Sequence, residues 1–115
     1  MIRIALALAL SATAAQAEGS VALPSGFDGV YATEGLGCDD LGRVEVGGGV
    51  MVGAEFAITV TDLIEFPGEP NKVEATLLNE GGGGSWTDSA VITLAEDELR
   101  FEYPDGSVAT WTRCD

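Results

Sequence analysis

Apolar and polar residues alternate with period two along most of the chain beyond residue 28. Phe56, Ile58 and Val60 fall on one side of an extended chain, with Ala57, Thr59 and Thr61 on the other. Val73, Ala75 and Leu77 alternate in the same way with Glu74, Thr76 and Leu78. Trp86, Asp88, Ala90, Ile92 and Leu94 alternate with Thr87, Ser89, Val91 and Thr93, and Leu99, Phe101 and Tyr103 with Arg100 and Glu102. Val108, Thr110, Thr112 and Cys114 alternate with Ala109, Trp111 and Arg113. Such a pattern marks half-buried strands. Gly and Pro recur too often for a helical period to develop.

Turn residues set the boundaries. Tyr103-Pro104-Asp105-Gly106-Ser107-Val108 combines a φ-setting Pro, a capping Asp and a Gly that tolerates positive φ, which predicts a hairpin between strands near 98–103 and 108–114. Pro67 to Asn71 reads as a turn, and Gly47-Gly48-Gly49 separates Val44–Val46 from Val50–Val52. Ala95 to Glu98 is a polar turn, and Asn79 to Ser85, with four consecutive glycines, reads as a flexible loop. The remaining segments lie near 29–34, 42–46, 49–53, 55–61, 63–66, 72–79 and 86–94. Merging neighbours leaves about seven or eight short strands. The expectation is an all-β fold, a small antiparallel up-and-down barrel or a sandwich.

The N-terminus is different. Arg3 precedes an unbroken apolar run, Ile4 to Leu10, and Ala15-Gln16-Ala17 fits the small-x-small rule of signal peptidase. Residues 1–17 read as a signal peptide cleaved between Ala17 and Glu18, leaving 18–115 as a single β domain. The run is shorter than the roughly 20 apolar residues a membrane span needs, so no membrane span is expected. The destination is the periplasm or the medium. There the two cysteines, Cys38 and Cys114, are expected to form a disulfide. Closing so long a loop contributes roughly 4.5 kcal/mol on the chain-entropy account. That is a large share of the stability of a small domain.

Composition then limits the chemistry. The chain of 115 residues has 19 Asp+Glu, 5 Lys+Arg and no His. All 19 acids lie in 18–115 with 4 of the cations, a net charge of −15 after cleavage. Such a charge repels phosphate backbones and anionic lipid, so nucleic acid is not an expected partner. Without His there is no imidazole base and no His-ligated zinc. With both cysteines paired, no enzyme activity and no cofactor are expected. Asp39-Asp40 and Glu96-Asp97-Glu98 could contribute oxygens to calcium, but neither has the spacing of an EF-hand loop. They read as solvated turn acids. Trp86 and Trp111 could form a stacking platform, and at least one is expected to fill the core or the barrel mouth. Tyr31 reads as a core aromatic of the first strand. Arg43, Lys72, Arg100 and Arg113 are expected to pair with neighbouring carboxylates.

Gly29-Val30-Tyr31 leading into Gly37-Cys38, with the ending Tyr103-Pro104-Asp105-Gly106 through Trp111-Thr112-Arg113-Cys114-Asp115, resembles small uncharacterised exported β proteins of bacteria that hold one disulfide. A broader likeness is to the periplasmic C-type lysozyme inhibitors, which are disulfide-tied eight-stranded barrels. The Ser-Gly-rich, tyrosine-containing inhibitory loop of that family has no counterpart here, so the likeness assigns no site residue. Acidity and export together point to a binding or inhibitor module for a basic protein or peptide. The alternatives are a structural or envelope-associated protein without a tight partner, and a small-ligand carrier, which would need an internal cavity.

Overall fold

Eight alternating segments pair in chain order until the last meets the first. The computed structural model describes residues 19–39 and 41–114. The strands are β1 (Gly29–Ala32), β2 (Arg43–Gly47), β3 (Val50–Val52), β4 (Phe56–Phe66), β5 (Glu69–Gly81), β6 (Gly84–Ala95), β7 (Glu98–Glu102) and β8 (Val108–Arg113). All neighbours are antiparallel, and β1 pairs with β8 to close the barrel. Of the two architectures open to the sequence, this is the up-and-down barrel.

The alternation becomes an inside and an outside. Tyr31, Val44, Met51, Val60, Leu77, Ile92, Leu99 and Phe101 are all buried within one core cluster. Ala32 breaks the rule: its neighbour Tyr31 points inward, yet Ala32 is also buried.

Two turns differ from the expectation. Asn79 to Ser85 is not a loop. β5 runs on to Gly81 and β6 begins at Gly84, so only Gly82 and Gly83 turn, with φ of +59° and +82°. A two-residue turn with both centres at positive φ matches the twist of the flanking strands and favours glycine at both. Likewise Pro67-Gly68 suffices between β4 and β5, and the chain is already extended at Glu69. The segments 55–61 and 63–66 are one strand, with a register shift between Val60 and Asp62.

The two ends of the barrel differ. At the end where β1 begins, residues 20–28 fold across the opening. Leu23 and Phe27 are buried there. Val21 N–H donates to Val60 O (2.8 Å), and a 3₁₀ turn, Ser25–Phe27, leads into β1. The opposite end is rimmed by the β1–β2 loop, the β3–β4 turn, the β5–β6 hairpin and the β7–β8 turn.

The seam is short. β1 and β8 register over Tyr31↔Arg113 and Ala32↔Thr112 only. Cys114 N–H extends it with a bond to Val30 O (2.7 Å). The disulfide between Cys38 and Cys114, whose Cα atoms are 5.8 Å apart, fastens the β1–β2 loop to the chain just past β8. Such a bond is compatible with an oxidising extracellular or periplasmic compartment. The proposed signal segment and its junction at Ala17 and Glu18 lie outside the described residues. No helix among the described residues is long and apolar enough to cross a membrane.

Candidate functional site: an acidic, aromatic mouth

The open end collects aromatic side chains from distant parts of the chain. Phe56 opens β4, Phe101 lies near the end of β7 with Tyr103 just past it, and Trp111 sits midway along β8. Their rings form a continuous series. Phe56 and Trp111 are 6.2 Å apart between centroids, Trp111 and Phe101 4.6 Å, and Phe101 and Tyr103 6.5 Å. These are distances at which tilted and offset rings attract. The series starts in the core, where Phe101 is fully enclosed, and emerges at half-buried Tyr103. Close packing fits Gly53 to this arrangement, because a Cβ there would collide with the Phe56 ring.

The two tryptophans therefore separate. Trp111 is 7 % exposed and belongs to the core. Trp86, four places before buried Ala90 and so on the same face of β6, lies near the strand's outer end and is 54 % exposed. It does not stack with Trp111 to make a platform. Its neighbours on the rim are Asn79, its register partner on β5, whose Nδ2 donates to Trp86 O (3.5 Å), and Asp88.

Asp88 faces the β7–β8 turn. Asp88, Tyr103, Pro104, Asp105 and Ser107 line a cleft of about 330 Å³. The Tyr103 phenol is pushed above its ordinary value by burial and by the Asp88 charge. Asp105 shapes the turn: its Oδ1 accepts from Ser107 N–H (2.9 Å) and Oγ–H (2.7 Å). Those bonds hold its carboxyl below the usual carboxylate value. A second cleft, about 350 Å³, is lined by Thr33, Leu36, Leu41, Ala54, Glu55 and Phe56, from the β1–β2 loop and the β3–β4 turn with the first residue of β4. Leu36 and Leu41 are both exposed there.

The cations are spread around the barrel. Arg43 meets Glu45 (3.3 Å), Arg100 meets Glu102 (3.0 Å), and Lys72 lies 4.0 Å from Glu69. Exposed pairs of this kind stabilise by under about 1 kcal/mol each. Lys72 also stands over the Phe66 ring at 4.9 Å, beside a wider cleft at the plugged end. Arg113 points into the plugged end, where its guanidinium donates to Gly26 O (3.0 Å) and Asp28 O (3.2 Å).

Among the described residues no group of three or more Asp, Glu, Cys or His is placed to bind an ion. Asp40 lies outside the described residues. Glu96, Asp97 and Glu98 are exposed at the β6–β7 turn. Gly81 and Gly84 are strand residues of the β5–β6 hairpin.

Phe56, Asp88, Tyr103 and Asp105 were not legible as one site. They come from β4, β6 and the β7–β8 turn, and only barrel closure brings them together. The available signal was parity: Trp86 and Asp88 continue the inward face of β6 beyond its buried part. No protein-family model matches the chain, and neither does any curated protein or solved structure.

Proposed function

We propose that the protein is an exported, acidic binding or inhibitor module that receives a cationic protein or peptide at the open mouth of its barrel. The observation that supports this reading is the grouping of carboxylates with exposed apolar side chains at the mouth. Glu55, Asp88 and Asp105 stand at the mouth among Trp86, Tyr103, Leu36 and Leu41, while Lys72 and Arg113 sit towards the plugged end. Arg43, at the base of the β1–β2 loop, is held by Glu45. An anionic field with exposed apolar surface at its centre steers a basic partner and then gives it something to bury against. The role is non-enzymatic, and the setting is periplasmic or secreted.

A second reading, an envelope-associated protein whose charge serves solubility, draws support from the acids at the other end, Glu65, Glu69, Glu96 and Asp97. Retention of basic proteins on the immobilised chain separates the two. Under the binding reading, a basic lysozyme or a similarly cationic protein is retained at low ionic strength and released as salt screens the field. The double variant Asp88→Asn, Asp105→Asn retains it less. No retention at low salt, or retention unchanged by that variant, favours the solubility reading. The carrier alternative has less to recommend it, because large side chains from every strand of the barrel fill its interior.

A further inference from the structure

The wall of the barrel steps down between β6 and β7. β6 registers with β5 from Gly84 onward, but with β7 only from Val91↔Glu102 onward. Past Glu102 the chain bends into a self-contained turn, in which Tyr103 N–H donates to Ser107 O (3.0 Å) and Gly106 N–H to Tyr103 O (2.9 Å). One flank of β6, from Gly84 to Asp88, therefore has no strand beside it among the described residues. Gly84 to Thr87 are exposed and Asp88 is half-buried. A bare strand flank presents main-chain donors and acceptors that a further strand satisfies.

The side chains specify what kind of strand. Trp86 and Asp88 share the inner face of β6, two residues apart, with Ser85 and Thr87 on the outer face. An exposed indole attracts an ammonium or guanidinium through its ring face, and the carboxylate pairs with one. An added strand shows its own side chains to one face at every second residue, so it would meet Trp86 and Asp88 with alternate residues. A second copy of this chain suits the flank badly, because it would set Asp88 and the whole acidic surface against themselves.

We propose that an extended segment of a basic partner, carrying Lys or Arg at alternate positions, adds to the barrel as a strand along Gly84–Asp88. This rests on the cationic-partner reading and specifies how the partner is held. Two capped peptides of alternating Thr and Lys provide the test, one ordinary and one N-methylated along its backbone. The second keeps every charge and loses its main-chain donors. The ordinary peptide protects amides within Gly84–Asp88 from exchange. The methylated one binds at least about tenfold more weakly, as expected for lost hydrogen bonds. Trp86→Ala and Asp88→Asn each weaken the ordinary peptide and leave the fold intact, because both side chains stand at the rim. Equal binding of the two peptides overturns strand addition and leaves the cationic-partner reading standing. Failure of both peptides, with a basic protein still retained, overturns strand addition alone. Failure of peptides and proteins together removes both. A concentration-dependent dimer that protects the same amides without peptide overturns the proposal in favour of a second copy.

Discussion

Arg113 lies over the face of Tyr31, its guanidinium carbon 5.0 Å from the ring centroid, and the two are register partners across the seam that closes the barrel. Tyr31 in turn donates its hydroxyl to Phe27 O (2.8 Å), and Arg113 donates to Gly26 O and Asp28 O. One strand pair thus carries the closure, the plug and the turn that precedes β1. A planar, forked cation suits this position, because it stacks on a ring and reaches two carbonyls at once.

Arg113→Lys keeps the charge and loses the fork. It should lower stability by about 1–2 kcal/mol in a urea titration. Tyr31→Phe leaves the ring and removes the donor to a buried carbonyl, at a cost of about 1–3 kcal/mol. The two losses should not add, because both act on the same turn.

Reducing the disulfide should lower stability by roughly 4.5 kcal/mol if chain entropy dominates. The effect has a predicted location as well as a size. β1 and β8 register over two residue pairs, so amide exchange should rise first in Val30–Ala32 and in Thr112–Cys114. The long β4–β5–β6 sheet should remain protected at low denaturant.

The tryptophans should behave as opposites. Trp111→Phe disturbs a packed ring series and should destabilise measurably, and Trp111→Ala by about 3–5 kcal/mol. Trp86→Ala should stay within about 0.5 kcal/mol of the parent. Acrylamide quenching of the single-tryptophan proteins checks this directly, with Trp86 quenched freely and Trp111 protected.

Glu96 is the one described non-glycine residue at positive φ, +56°, in the turn between β6 and β7. Asn tolerates that conformation better than a longer side chain does. Glu96→Asn should therefore stabilise by about 0.5–1 kcal/mol, and it also removes one charge from a run of three acids.

The Tyr103 phenol titrates above its ordinary value. A folded-state value raised for an acid means stability is lost as pH climbs past the unfolded phenol value, near 10, because the unfolded chain ionises first. Asp88→Asn removes the charge contribution and leaves burial, the larger cause, in place. The titration of Tyr103, followed by ring chemical shift, should move part of the way down. No movement in that variant would show that Asp88 does not act on the phenol.

Much of the fold was legible in residues that repeat with period two. Ile58 and Val60, then Val73, Ala75 and Leu77, then Leu99 and Phe101 alternate with their neighbours along the chain, and each of these seven is buried. The glycine run misled because glycine serves an open loop and a tight turn equally well. Only pairing of β5 with β6 shows that two of the four residues turn and two remain in strands. Tyr31 was legible as a core aromatic, whereas the acceptors of Arg113 were not, since they lie in a turn far away in sequence.

The sequence by itself determined the local and the additive properties of this protein. It set which residues alternate, where turns fall, how much charge the chain carries and which catalytic groups it lacks, because each of these depends on residue type and near neighbours. Tertiary structure alone decided that the sheet closes, that Trp111 is enclosed while Trp86 is exposed, and that Asp88 meets Tyr103 and Asp105 at one mouth. Those outcomes depend on strand register and on unequal strand lengths around the barrel. Both arise from pairing between residues that no local pattern connects.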